Sequence, residues 1–130
     1  MSLNDPLANV LSHIMTEDKK GQRQTVVKPG SKMVKKVLSL LNETNYLGTF
    51  KEIKDGQSMA LDVNLIGAIN KTGVIKPRYK VSVAEYKKFE KRYLPASGFG
   101  LIIVSTNKGL MTQEEAIKKN IGGRLLAYVY

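Results

Sequence analysis

The spacing of apolar residues predicts two amphipathic helices in the first third of the chain. From Leu7 to Ile14 these residues recur at i, i+3, i+4 and i+7, directly after Asp5-Pro6, a pair that suits a helix start. From Ser31, a candidate N-cap, to about Asn42, apolar residues fill one arc and lysines fill the opposite arc. Between the two helices, the β-branched stretch Thr25 to Val27 predicts a short strand.

Alternation of apolar and polar residues then predicts a hairpin. The segments 49–53 and 59–65 flank Asp55-Gly56, a dipeptide typical of hairpin turns. Helix, strand, helix and hairpin together make a compact α/β unit. Because the composition becomes more basic after Gly67, we assign residues 1–66 to an N-terminal α/β domain.

The second half of the chain predicts short strands and short helices. The segment 66–82 suits two or three strands, and Ser82 to Glu85 has the spacing of a capping box that opens a helix. The apolar run Phe99 to Val104 predicts a buried strand, and residues 124–130 predict a terminal one. We therefore assign residues 67–130 to a mostly β C-terminal domain with short helices, which gives an α+β fold of two small domains.

A polar stretch follows the predicted buried strand. We predict a loop at 105–109, because Thr112 and Glu115 have the spacing that opens the next helix. Hydroxyls, an amide and an ammonium lie close together here, and Gly109 allows a partner to approach the backbone, which suits a phosphate-bearing partner. A polar connection that serves only solvation is the alternative. The candidate residues are Ser105, Thr106, Asn107, Lys108 and Gly109.

The net charge of +10 points to a polyanionic partner, either nucleic acid or an anionic membrane surface. The charge is uneven: residues 66–130 hold twelve Lys and Arg against four acids, whereas residues 1–65 hold nine against seven. A second basic island, Lys19 to Lys36, contains seven cations and no acid. Two islands suggest a two-sided clamp or an extended footprint.

The lysines of the second predicted helix share one face. Lys32, Lys35 and Lys36 lie opposite the apolar arc, and the helix contains no acid that could pair with them before Glu43. The start of this helix, beside Lys28 and Lys32, is a potential anion site. A face that is merely solvated is the alternative. We take these four lysines as candidates for phosphate contacts.

Enzymatic and metal-binding functions lack the residues that they need. There is no cysteine, and His13 is the only histidine, which disfavours thiol chemistry, a catalytic triad and a zinc site. No P-loop spacing and no dinucleotide fingerprint occur. We predict no catalytic residue, no metal and no cofactor. The apolar runs are far shorter than the roughly 20 residues of a membrane span, and the start does not resemble a signal peptide, so we expect a soluble, intracellular protein with no membrane partner.

RNA is the partner that these residues suit best. Lysine and arginine neutralise phosphates, while short polar side chains can reach 2′-hydroxyls and base edges in the shallow minor groove of an RNA helix. Tyr86, Tyr93, Tyr128 and Tyr130 could stack on bases, but we favour packing roles for them. The main rival function is an adaptor that binds acidic proteins through its cationic surface.

Four motifs resemble those of the small-subunit ribosomal protein eight family. They are Asp-Pro-Leu-Ala-Asn-x-Leu-x-x-Ile at 5–14, Lys-Pro-x-Ser-Lys at 28–32, Ser-Thr-x-x-Gly at 105–109 and Gly-Gly-Arg-Leu-Leu-Ala-Tyr-Val-Tyr at 122–130. The motifs follow one another in the family's order over the whole chain. The ending and the segment 75–93 resemble the archaeal form of the family.

The resemblance implies a structural constituent of the small ribosomal subunit, cytoplasmic and ribosome-associated. Such a protein binds the central domain of small-subunit ribosomal RNA early in assembly, and its Ser-Thr-x-x-Gly loop enters the minor groove of an irregular RNA helix. Neighbouring small-subunit ribosomal proteins and, if its message imitates the ribosomal site, its own messenger RNA are further expected partners.

The resemblance also implies contacts outside the loop. The segment before the second helix contacts the RNA backbone, and the turn into the last strand lies near the loop. The corresponding residues are Pro29, Gly30, Ser31 and Lys32 for the first and Gly122, Gly123 and Arg124 for the second. Two positions depart from the family pattern: Gly30 replaces Ala or Ser, and Asn107 replaces Ser or Thr, although an amide can still donate and accept.

Overall fold

The computed structural model describes residues 6–28, 32–56, 58–96 and 98–130. The chain divides into two compact units, Met1–Asn70 and Lys71–Tyr130. The predicted helix starts at Asp5 and Ser31, and the predicted site residues Pro29 and Gly30, lie outside the described residues. The domain ranges 1–66 and 67–130 stay a prediction.

The N-terminal unit has the predicted order of helix, strand, helix and hairpin. Its elements are α1 (Pro6–Lys19), β1 (Gln24–Val27), α2 (Lys32–Glu43), β2 (Phe50–Asp55) and β3 (Ser58–Asn64). The strands form an antiparallel sheet in the order β1-β3-β2, in which Thr25 and Phe50 both lie opposite Val63. In β3, the side chains of Leu61 and Val63 are buried, whereas Asp62 between them is less buried, which is the alternation of a strand with one face toward the core.

The apolar stripes of α1 and α2 form the core of this unit, as their spacing predicts. From α1, Leu11 and Ile14 are fully buried, and from α2, Val37 and Leu41 are fully buried. Near the end of α1, the carboxylate of Asp18 is buried and accepts hydrogen bonds from the backbone N–H groups of 67 and 69, at 3.0 and 3.3 Å. These bonds satisfy a buried polar group and attach the segment after β3 to α1.

The C-terminal unit is mostly β, as predicted. Its elements are β4 (Thr72–Val74), β5 (Lys80–Val81), α3 (Tyr86–Tyr93), β6 (Leu101–Thr106), β7 (Gly109–Thr112), α4 (Gln113–Lys118) and β8 (Gly123–Val129). All pairings in its sheet are antiparallel: β8 pairs with β4, β5 and β6, and β7 pairs with β6. A core that includes Tyr86, Ile102, Val104 and Leu125 covers one side of β6 and β8.

The prediction of a loop over 105–109 is wrong. Strand β6 continues through Thr106, only Asn107 and Lys108 form the turn, and Gly109 already pairs with Thr106 at the start of β7. The apolar residues Leu110 and Met111 are therefore in a strand before α4 begins. The two-residue turn joins β6 and β7 in a hairpin, where a longer strand-to-helix connection was predicted. The turn therefore lies at the end of the sheet.

The predicted strand over 99–104 begins two residues too early. Phe99 is 67% exposed and lies between Gly98 and Gly100, whose φ values of +83° and +88° are in the region that favours glycine. A Cβ on Gly100 would lie 2.4 Å from the backbone oxygen of Val129. The glycines therefore turn the chain before it enters the sheet at Leu101.

Candidate nucleic-acid interface

The hydroxyl group of Thr106 closes the turn at the end of the β6–β7 hairpin. It donates a hydrogen bond to the carbonyl oxygen of Gly109 at 2.8 Å and accepts one from the N–H of Lys108 at 3.1 Å. The side chains of Ser105 and Asn107 make no hydrogen bond to any residue that the structure describes, and Asn107 and Lys108 are exposed. Thr106 thus supports the turn, and its neighbours present free polar groups.

The start of β8 lies directly beside this hairpin. Arg124 is opposite Ser105 on β6 and opposite Lys80 on β5. Two glycines make the approach possible, because a Cβ on Gly122 would lie 2.5 Å from the backbone oxygen of Val81, and a Cβ on Gly123 would lie 2.5 Å from that of Ser105. The sheet therefore brings the predicted Gly-Gly-Arg turn and the predicted recognition residues together.

The turn between α4 and β8 is held by backbone bonds and by one tyrosine. Asn120 takes a φ of +57°, and the N–H of Ile121 donates to the carbonyl of Ala116 at 2.9 Å, which ends α4 in a Schellman-type turn. The hydroxyl of Tyr86 donates to the carbonyl of Ile121 at 2.9 Å. Burial raises the pKa of Tyr86, so this hydroxyl remains a neutral donor at physiological pH.

An open groove of about 950 Å³ lies between three segments of the chain, residues 80–83, 105–108 and 120–124. The groove contains every residue predicted on the C-terminal unit except Gly109. It also contains Lys80, Ser82 and Asn120, which were not predicted as site residues. Lys80 and Ser82 carried no local signal, because β5 reaches the site only through its pairing with β8. Asn120 lies two residues before the predicted Gly122. The lining residues are Lys80, Val81, Ser82, Val83, Ser105, Thr106, Asn107, Lys108, Asn120, Ile121, Gly122, Gly123 and Arg124.

The groove is cationic and polar. Lys80, Lys108 and Arg124 contribute positive charge, and no acidic residue of the described part of the chain lines it. Short hydroxyl and amide side chains lie among these cations. An open surface of this kind suits the ribose-phosphate chain of a folded RNA better than a small molecule, which proteins usually hold in an enclosed, largely apolar cavity.

The lysines predicted on α2 differ in whether an acidic residue pairs with them. Lys32 and Lys36 are exposed on α2 and make no ion pair with a described residue. Lys35 instead forms a salt bridge with Glu52 of β2. The sequence shows no acid on this helix before Glu43, and it did not predict Glu52 as a partner, because Glu52 comes from a strand that follows α2.

Three of the four candidate tyrosines stack in a row, and the fourth is buried in the core. Tyr86 is fully buried, and the rings of Tyr93 and Tyr128 stack at 5.6 Å between centroids, followed by Tyr128 and Tyr130 at 6.3 Å. This arrangement matches the packing role that was predicted for the tyrosines in preference to base stacking.

His13 lies in the N-terminal unit, where its Nε2 atom is 2.8 Å from the hydroxyl of Thr25.

No group of three or more metal-binding side chains occurs among the described residues. Within the same part of the chain, no helix is both long and apolar enough to cross a lipid bilayer.

A basic α+β fold with a cation-lined polar groove is typical of the class of proteins that bind nucleic acid. A comparison with protein families gives the particular family: the model for ribosomal protein S8 matches residues 5–130. The chain therefore belongs to the ribosomal protein S8 family, and the predicted family is confirmed. It is a small-subunit ribosomal protein that binds ribosomal RNA, in a family whose role is structural and not enzymatic.

Proposed function

We propose that the groove of the C-terminal unit recognises an irregular helix in the central domain of small-subunit ribosomal RNA early in subunit assembly. In this proposal the turn of the β6–β7 hairpin enters the minor groove of the RNA. Asn107 and Ser105 contact ribose hydroxyls and base edges, and Lys80, Lys108 and Arg124 contact phosphates. The observation that carries the proposal is the shared groove, lined by three cations, that joins this turn to Gly122-Gly123.

The N-terminal unit supplies a second set of contacts in this proposal. The exposed Lys32 and Lys36 face phosphates from α2, and Lys28 with the segment 29–31 contacts the backbone beside them. Lys35 joins these contacts only if RNA competes with Glu52 for it. Phosphate contacts of this kind position a protein on RNA, whereas the contacts of the hairpin turn specify the site.

Family membership supports partners beyond the RNA itself. A small-subunit ribosomal protein lies among neighbouring ribosomal proteins, and we propose a cytoplasmic, ribosome-bound location for this one. Regulation through its own messenger RNA is a further proposal, which requires that the message imitate the ribosomal site. The resemblance to the archaeal form stays a prediction.

Replacement of Thr106 tests the proposal. Because the Thr106 hydroxyl closes the hairpin turn, Thr106→Ala should release the turn and weaken binding to the central-domain RNA by about tenfold, the equivalent of one lost hydrogen-bonded contact. Binding to an unrelated RNA duplex should change much less. Filter binding at several salt concentrations measures both affinities.

The matched control is Thr106→Ser, which keeps the hydroxyl group and should retain specific binding. Equal losses of Thr106→Ala on both RNAs would refute a specifying role for the turn. If the wild-type protein bound acidic proteins but showed no preference for the central-domain RNA, the adaptor function would be favoured instead.

A further inference from the structure

The outer face of α3 carries a cluster of cations that the groove does not use. We name it the α3 ridge and define it as Lys87, Lys88, Lys91 and Arg92, all of which are exposed. The opposite face of the helix buries Tyr86 and Phe89 in the core. At 100° per residue, the ridge residues share the side of the helix that faces away from this core.

The two acidic residues of this helical segment, Glu85 and Glu90, are bonded to other side chains. Glu90 accepts a hydrogen bond at 3.3 Å from the amide of Gln113, a buried side chain whose oxygen accepts from the N–H of Ile102. Glu85 accepts from the N–H and the hydroxyl of Ser82, at 3.0 and 3.1 Å.

The four ridge cations are not equally free of acid. Lys88 interacts electrostatically with Glu85, which lies about one helical turn away. Lys87, Lys91 and Arg92 form no ion pair with any described residue. Three of the ridge cations therefore remain available to an external anion.

Aromatic rings hold Arg92 in place. Its guanidinium lies 5.5 Å from the ring centroid of Tyr79 and 5.6 Å from that of Tyr93. Both rings are in turn packed against Phe89, at 5.2 and 6.5 Å. A guanidinium ordered in this way loses little further freedom on binding, and its planar donors suit a phosphate group.

The ridge continues from one wall of the groove. Val83 lines the groove, and the chain runs from it through a 3₁₀ turn, Val83–Glu85, straight into α3. Spacings of four residues place Val83, Lys87 and Lys91 on one side of this helical segment. At about 1.5 Å per residue, Lys91 is roughly 12 Å along the helix axis from the edge of the groove.

We infer that the α3 ridge is a second phosphate-binding surface, which holds the backbone of the RNA duplex flanking the segment in the groove. This inference rests on the proposed function of the groove. RNA fits the ridge better than an acidic protein does, because the ridge presents no apolar residue, and the centres of protein–protein interfaces are depleted of lysine and enriched in apolar and aromatic residues. A continuous polyanion would satisfy the groove and the ridge together.

The test uses two RNA hairpins that share the same irregular internal loop. One carries a short flanking stem that only fills the groove, and the other carries a stem longer by one helical turn. The double variant K87E/K91E should bind the long hairpin about tenfold more weakly, with a salt dependence flatter by about two, and should bind the short hairpin within about twofold of wild type. Circular dichroism checks that the variants fold.

Two further variants sharpen the test. K51E/K71E is the charge-matched control, because it changes two exposed lysines outside the groove and the ridge. It should change the affinity for the long and the short hairpin by the same factor. Arg92→Lys keeps the charge but loses the planar contact with Tyr79 and Tyr93, so it should weaken binding to the long hairpin without changing the salt dependence.

The outcomes separate the inference from the proposal on which it rests. If Thr106→Ala weakens binding to both hairpins while K87E/K91E binds the long one normally, the groove stands and the inference that the ridge binds RNA is overturned. If Thr106→Ala affects neither hairpin, the proposed function of the groove fails. Equal losses for K87E/K91E and K51E/K71E would show a general charge effect and overturn the inference.

Discussion

Gly123 is a residue at which the geometry of the groove depends directly on the absence of a side chain. A Cβ there would lie 2.5 Å from the backbone oxygen of Ser105 and 2.7 Å from a methyl group of Val104. Backbone atoms in the middle of a sheet cannot move aside cheaply. Gly123→Ala should therefore lower the free energy of unfolding by about 1–3 kcal/mol, measured by urea denaturation, and should also weaken RNA binding.

Gly73→Ala is the matched control for this prediction. Gly73 is also in a strand of the same sheet, but a Cβ there would meet the hydroxyl end of Tyr128 at 3.0 Å, which is the tip of a side chain. That ring can rotate slightly, so the control should cost less than Gly123→Ala. Equal losses of stability in the two variants would argue against a close backbone contact at Gly123.

At the scale of single residues, the sequence predicted which side chains are polar and exposed but not which of them are already bonded. Thr106 was selected as a ligand, yet its hydroxyl bridges Lys108 and Gly109 within the turn. Lys35 was selected as an unpaired cation, yet it meets Glu52. Both partnerships depend on strand register and on tertiary packing, which the local spacing of residues does not contain.

Tyr86 connects two elements. Its buried side chain extends from α3, and its hydroxyl donates a hydrogen bond to the turn that precedes β8. Tyr86→Phe removes only the hydroxyl, which leaves the carbonyl of Ile121 without this donor. We expect a loss of about 1 kcal/mol of stability and weaker RNA binding, because Gly122 and Gly123 follow that carbonyl directly. Thermal unfolding and filter binding measure the two effects.

Tyr93→Phe is the control for this prediction. It also removes a tyrosine hydroxyl from α3, but the structure shows Tyr93 in ring contacts and in no hydrogen bond with a described residue. If Tyr86→Phe bound RNA as well as this control, the bond to Ile121 would not be needed to shape the groove.

The start of the helical segment before α3 should be sensitive to pH. The N–H of Ser82, followed by its hydroxyl and then by the charge of Lys88, lowers the pKa of Glu85 below its usual value of 4.5. A carboxylate whose folded pKa is lowered stabilises the folded state above its unfolded pKa, and this contribution is lost as the pH falls through the folded pKa.

Glu85→Gln should therefore be less stable than wild type at neutral pH, and the difference should shrink as the pH falls below about 4. Thermal unfolding of both proteins at neutral pH and below about pH 4 measures this difference in stability. Glu43→Gln, which removes an exposed carboxylate without a hydrogen bond to a described residue, should show a smaller change. A gap between wild type and Glu85→Gln that stayed constant with pH would contradict the role given to the charged carboxylate.

At the scale of elements, the boundaries that the sequence predicted well are those set by capping or by periodicity. Thr112 begins α4 as predicted, and its hydroxyl accepts from the N–H of Glu115 at 3.2 Å. The end of β6 was misjudged because Ser105 and Thr106 are polar. In the sheet they remain paired with β7 and β8, and pairing, which involves distant residues, decides where a strand ends.

At the scale of the whole molecule, the α+β fold followed from local pattern, whereas the groove did not. Alternation and helical spacing give most elements, although not β7, and each unit then buries the apolar face that the pattern defines. The groove needs β5, β6 and the start of β8 to be neighbours, although they are distant in sequence. Only the resemblance to a known family connected the hairpin turn with Gly122-Gly123 in advance.

The net charge of +10 predicts strongly salt-dependent binding to RNA. Lys32 is exposed and unpaired among the described residues, so Lys32→Ala should weaken binding to cognate and unrelated RNA alike and should flatten the slope of affinity against salt by about one. Lys35→Ala should flatten it less, because RNA must displace Glu52 to reach that lysine.

Lys51→Ala provides the reference for these two variants. Lys51 is exposed and neighbours Glu52 on β2, and because adjacent residues of a strand point to opposite faces, it points away from the α2 surface that Glu52 contacts. Its removal lowers the net charge by the same amount as the removal of Lys32. If Lys32→Ala changed the slope no more than Lys51→Ala does, binding would respond to overall charge alone, and α2 would not contact phosphates.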